Sequence, residues 1–149
     1  MDYTRQKNKT LGVTESIVVF LVGASAYYFA ELIYRGYSHI TMFFAGGICF
    51  FLIYICEKHI ASVHILLRAV VYAVMITVVE FVFGVVFNII LGMKVWDYSE
   101  EPFNVLGQVC PGFVLMWFML SFPAILVCNK LKTAFKNVWK RNRDNALDK

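Results

Sequence analysis

Four apolar runs divide this 149-residue chain, at about 16–34, 40–56, 69–91 and 105–128, with short polar connections between them. Roughly 20 apolar residues cover the ~30 Å hydrocarbon core of a bilayer, so each run can be a membrane span. Backbone in lipid must satisfy its own amides and carbonyls, and no run shows the alternation of a strand, which leaves helices. The expected fold is therefore an all-α membrane protein. Residues 1–128 form a four-transmembrane-helix bundle, and 129–149 form a basic cytoplasmic tail. Charged residues are only 16% of the chain, against roughly 25% in soluble domains, as expected of a membrane protein, and 149 residues suit one compact helical bundle with no separate soluble domain.

Local signals refine the spans. The start of the first run looks like a secretory h-region with a faint cleavage site at Ala24-Ser25-Ala26. Its apolar character continues through Phe29, Leu32 and Ile33, so a retained anchor is expected. Thr14 or Ser16 can cap its beginning. Pro123 falls inside the fourth run, where it lacks an amide donor and should bend the helix.

Lysine and arginine are unevenly placed. Arg5, Lys7 and Lys9 precede the first run, Lys58 and Arg68 lie in the second connection, and Lys130, Lys132, Lys136, Lys140, Arg141, Arg143 and Lys149 follow the fourth. Only Arg35 and Lys94 fall in the other two connections. By the positive-inside rule both termini are cytoplasmic, the chain is multi-pass in the cell (plasma) membrane, and the acidic segment 97–101 faces outward. In the tail, Leu131, Phe135, Val138 and Trp139 share one helical face while Lys132, Lys136, Lys140 and Arg143 lie off it. That pattern predicts a short amphipathic C-terminal helix on the inner surface, drawn to anionic lipid. Basic residues beside a bilayer are explained by topology, and nucleic acid is not an expected partner.

Chemistry concentrates on a few polar groups. Thr77, Glu80, Gly84 and Asn88 share one face of the third helix at ~100° per residue, and that face must look into the bundle because lipid offers no hydrogen bonds. An ionisable group mid-span costs about 2.5–3.5 kcal/mol on insertion scales, so Glu80 has a use, either as glue between helices or in handling a solute or proton. Gly23, Tyr27 and Glu31 form a similar stripe on the first helix, with Glu31 and Arg35 spaced i,i+4 for an ion pair. His39 opens the second helix by packing or capping, and Gly46-Gly47 permits close backbone approach. By helical rise Glu80 lies near the midplane and Asn88 about 12 Å further out, at the level of Glu31, Arg35 and His39. These positions predict an outward-open polar funnel floored by Glu80 and roofed by the segment 96–108. Within that roof, Trp96 and Tyr98 are interface-belt residues, 99–102 has turn chemistry, Asn104 can cap the fourth helix, and Asp97 either accepts loop amides or faces the funnel.

The other chemistries have no pattern here. Cys49, Cys56, Cys110 and Cys128 form no Cys-x-x-Cys pair, and His59 and His64 are five apart, so neither a metal site nor a disulfide framework is expected. No His-Glu-x-x-His, Gly-x-Ser-x-Gly or phosphate-binding Gly-rich loop occurs, so no catalytic residue, metal or cofactor is assigned.

Residues 35–47 (Arg-Gly-Tyr-Ser-His…Met…Gly-Gly), then Glu80…Gly84…Asn88, then Trp96-Asp97-Tyr98-Ser99…Pro102…Asn104…Gly107-Gln108, resemble the small bacterial membrane proteins grouped as type IV ABC-transporter permeases. The resemblance spans roughly 31–126. It implies a membrane subunit of a transporter, served by a separate ATPase subunit and assembled as a homo-oligomer. The leading reading is thus a permease-like, non-ATPase subunit with a polar site drawn from Glu31, Arg35, His39, Glu80, Asn88, Trp96, Asp97, Tyr98, Asn104 and Gln108. Two other readings compete with it. One is an accessory or scaffold protein whose polar groups only hold the bundle, and the other is a membrane-embedded enzyme using Glu80 or Asp97 as acid or base.

Overall fold

Each apolar run winds into a helix, but the helices begin and end where local chemistry dictates and not where apolarity does. A computed structural model describes residues 2–147, with side chains from 12 to 144. The side chains of Arg5, Lys7, Lys9 and Lys149, used above for orientation, lie outside the described residues. Helix α1 is Asp2–Arg35, α2 is Ile40–His59, α3 is Ile65–Phe83, and α4 is Pro111–Leu147. Between α3 and the long connection to α4 the helix widens into a π-helical stretch, Gly84–Ile90. Among the described residues four helices are long and apolar enough to cross a membrane, and large apolar side chains such as Phe29, Ile33, Val74, Val78, Leu115 and Met119 face outward to meet lipid. This is a multi-pass membrane protein.

The helices alternate in direction. One end of the bundle carries both termini and the α2–α3 connection (the terminal end), and the other carries the α1–α2 and α3–α4 connections (the loop end). Gly36, at φ 76°, stops α1 in the left-handed region that a residue with a Cβ resists. His39 then caps α2, its Nδ1 accepting from the Thr41 amide at 3.3 Å. His64 does the same for α3, accepting from Leu66 N at 3.4 Å.

Several expectations are corrected. Thr14 and Ser16 lie inside α1, which starts earlier, and the Ser16 hydroxyl donates back to Gly12 O at 3.0 Å. The fourth helix starts at Pro111 and not near 105, because Pro at the first position needs no amide partner. Asn104 therefore caps no helix. No separate short amphipathic helix forms after 128, since α4 runs unbroken to Leu147. Leu131 and Phe135 pack on the protein's own core at the terminal end, so that apolar face is spent on the bundle and not on lipid.

Packing explains the arrangement. α1 and α2 lie along one another because a Cβ on Gly46 would stand 3.2 Å from Gly23 O and inside the Tyr27 side chain, while Gly47 faces the Phe20 ring. α3 pairs with α4, and α2 bridges the two pairs. α1 and α4 approach each other only sparsely, which leaves a crevice between them. The core divides into two clusters. Val19, Ile53, Tyr54, Tyr72, Ile125 and Cys128 fill the terminal half, and Met42, Val95 and Trp96 with Tyr27, Phe83, Phe87 and Tyr98 fill the loop half.

Candidate functional site

Glu80 is 6% exposed and points into the bundle. Trp117 Nε1 of α4 donates to its Oε2 at 2.8 Å, and the Tyr98 hydroxyl of the connecting loop donates to Oε1 at 3.1 Å. Tyr98 is aimed inward by stacking on Phe113, with ring centroids 4.2 Å apart. Burial, then the nearby Glu80 charge, push the Tyr98 hydroxyl well above the ordinary phenol range, so it remains a donor. In the sequence Trp117 is one more apolar residue of the fourth run. Its position in α4 carries no polar pattern, so spacing alone could not single it out.

The loop that delivers Tyr98 is built on Asn88. In the π-helical stretch the Asn88 side chain accepts from Val95 N at 2.7 Å and donates to Trp96 O at 2.9 Å and Gln108 Oε1 at 2.8 Å. Trp96 Nε1 in turn donates to Gln108 O at 3.0 Å, and Gln108 Nε2 to Leu106 O at 2.9 Å. Gln108 packs on Gly84, where an added Cβ would lie 2.8 Å from the Gln108 Cβ. The glycine in the Glu80–Asn88 stripe thus admits a loop and not a neighbouring helix. A π-helical turn places one extra residue in the helix and re-aims side chains, often at functional positions.

The remaining predicted residues form separate groups. Glu31 is paired with Arg35 and accepts from the Ser38 hydroxyl, and Arg35 reaches Val95 O at 3.5 Å. His39 is a helix cap, with Nδ1 2.9 Å from Thr41 Oγ1. Asp97 is exposed and accepts from Ser99 N at 2.9 Å and from its hydroxyl, bonds that hold its carboxyl below the usual range. Asn104 ties the same turn together through Ser99 O, Glu101 O and Gly107 N. Asp97 and Asn104 belong to loop architecture.

Next to Glu80 lies a cavity of about 300 Å3 between α1, α2, α3 and α4. Its walls are Gly23, Tyr27, Met42, Phe50, Phe83, Trp96, Trp117 and other apolar or aromatic side chains, and Glu80 is the charged residue among them. The expected polar funnel is corrected accordingly. Of the ten candidates only Glu80 and Trp96 line the space; Asn88 and Gln108 fasten the loop beside it, and Glu31, Arg35, His39, Asp97 and Asn104 do not enter it. Burying an unpaired hydroxyl or amide in hydrocarbon is costly, so polar side chains at this depth satisfied one another instead of leaving a wet channel.

Sequence reasoning missed a second buried cluster at the terminal end. Glu57 is fully buried, held by Arg68 Nη1 with 2.9 Å to each oxygen, by the Tyr72 hydroxyl at 2.7 Å, and by Lys132 Nζ at 3.4 Å. In the sequence Arg68 and Lys132 register only as topological charges. The signal was available, since Glu57 and Arg68 flank a short connection and must meet if α2 and α3 are antiparallel. Beside this cluster Glu15 accepts from Tyr54 and Lys58, each at 2.7 Å.

The family follows once these residues are placed. A family model described as "Putative ABC-transporter type IV" matches residues 12–147, which takes in all four helices, the Asn88-anchored loop and both buried glutamates. The chain belongs to this family. No solved structure matches it. Membership of this ABC-transporter family places the protein among transporter components of the membrane, without assigning a solute.

Proposed function

We propose that this protein is the permease-like, non-ATPase membrane subunit of a transporter, and that its solute-facing site is the crevice beside Glu80. The observation carrying this reading is a buried carboxylate on the wall of an apolar cavity, held by Trp117 from one helix and Tyr98 from the loop between α3 and α4. Glue between helices would not require a cavity at the same place. Asn88 and Gln108 serve by holding the loop that carries Trp96 and Tyr98, and Glu31, Arg35 and His39 shape the loop-end rim. Asp97 and Asn104 set the turn of that loop.

In this reading the terminal end faces the cytoplasm of the cell membrane, supported by the excess of lysine and arginine there, and the 95–110 loop faces outward. Energy comes from a separate ATPase subunit, which the family supports, and the basic segment 129–149 is the part of the chain nearest to it. One bundle encloses only a one-sided crevice, so more than one copy surrounds a pathway. The test is gentle detergent extraction followed by assay of the purified complex for ATP hydrolysis. An ATPase co-purifies and its activity changes in Glu80→Gln; a chain that purifies alone, with transport unaffected by Glu80→Gln, is instead a scaffold.

A further inference from the structure

Four glutamates in the helices are drawn into the bundle, and three of them bring a cation. Glu15 has Lys58, Glu31 has Arg35, and Glu57 has Arg68 and Lys132. Glu80 has only the neutral donors Trp117 and Tyr98, and among the described residues no lysine, arginine or histidine pairs with it. A carboxylate offers about four acceptor sites on its two oxygens, so two donors leave acceptor capacity facing the cavity. The aromatic residues Tyr27, Phe83, Trp96 and Trp117 line the same cavity, and aromatic rings attract an ammonium group over their faces. The cavity opens between α1 and α4, where Ala26, Ala30, Leu120 and Val127 are exposed to the surroundings of the helices, which in a membrane are lipid tails.

We infer that the missing counter-ion of Glu80 is supplied by the ligand: the crevice takes an amphiphilic amine, which enters sideways from the bilayer with its alkyl part on the apolar wall and its ammonium on Glu80. The inference rests on the crevice being the solute site, and it narrows the solute to a class. A volume of about 300 Å3 is at the small end of ligand pockets, which suits one alkyl chain with a small cationic head and not a bulky peptide. The same ammonium chemistry occurs on free alkylamines and on amine-headgroup lipids.

The experiment uses the full chain in maltoside micelles and reads tryptophan emission, since Trp96 and Trp117 line the crevice. Dodecylammonium, dodecanol and dodecyl sulfate are titrated as three heads on one tail. Dodecylammonium is expected to bind at least tenfold more tightly than dodecanol, dodecyl sulfate more weakly than either, and Glu80→Gln is expected to erase the preference. Ala26→Leu, at the exposed lip, lowers binding of all three and keeps the test open if Glu80→Gln fails to fold. Equal binding of the three probes, or an amine preference kept in Glu80→Gln, overturns the inference. Competition by phosphatidylethanolamine but not phosphatidylglycerol assigns the headgroup source, and competition by neither assigns the free amine. This binding needs no ATPase, so an amine preference without a co-purifying ATPase refutes the permease reading alone, and an ATPase complex without the preference refutes only the amine.

Discussion

Glu57 and Glu80 are both buried glutamates on adjacent helices, and they are treated in opposite ways. Glu57 is saturated: two cations and a phenol surround it at the terminal end, where it is fully buried between α2, α3 and α4. Glu80 is held by two neutral donors beside an open volume. Burial of an ion pair is weak evidence for net stability, yet removing one partner of such a pair is severe. The difference separates a carboxylate that fixes how three helices meet from one whose surroundings are incomplete.

The largest effect should come from Arg68→Met. It leaves Glu57 with Tyr72 and the longer Lys132 contact, and should cost about 3–5 kcal/mol, read as a fall in the midpoint of thermal unfolding in detergent. Adding Glu57→Leu to that variant should return most of the loss, because an apolar replacement of the whole pair is often neutral. Asn88→Ala should come next. It strips partners from Val95 N, Trp96 O and Gln108 Oε1, and at ~0.6 kcal/mol average per intramembrane hydrogen bond, with a maximum near 1.7, the loss should be about 2 kcal/mol. Limited proteolysis within 95–110 should rise in parallel.

Glu80→Gln should be milder in stability, below about 1 kcal/mol, since the amide oxygen still accepts one of the two donors. Its effect should fall on transport, and a variant with normal transport would make the two glutamates alike after all. Smallest is Asp97, whose carboxyl is held low by the Ser99 hydroxyl and then the Ser99 amide. A depressed value means that the loop gains order from Asp97 above the ordinary carboxylate range and loses it as pH falls through the lowered value. Protection of the Ser99 amide, measured against its intrinsic exchange rate at each pH, should therefore be high at neutral pH and fall in acid, and Asp97→Asn should remove that pH dependence.

The spans were legible because apolar length and helical period are local properties, and the inward aim of Glu80 followed from the cost of facing lipid. The Glu31–Arg35 pair and the glycine approach of α1 to α2 were legible for the same reason. What could not be read was which distant groups meet. Trp117 lies 37 residues from Glu80, and Lys132 lies 75 from Glu57, so only the packing of α4 brings them in. The start of α4 was misjudged because Val105, Leu106 and Val109 look like the beginning of a span. In fact Leu106 and Gly107 take positive φ and Val105 bridges to Val109, a tight turn that ends before Pro111.

The length of α4, which continues through Pro123, joins the bundle's two ends in one helix. Trp117 touches the crevice carboxylate, Lys132 touches the saturated one fifteen positions on, and the same rod carries Lys136, Lys140 and Arg141 beyond. Over the ~36 Å of helix from Trp117 to Arg141, a tilt of ~5° moves the basic end by ~3 Å. A ligand beside Glu80 that shifts Trp117 is therefore expected to displace the basic end of the same helix, which the distance between spin labels at the two ends of the bundle would read.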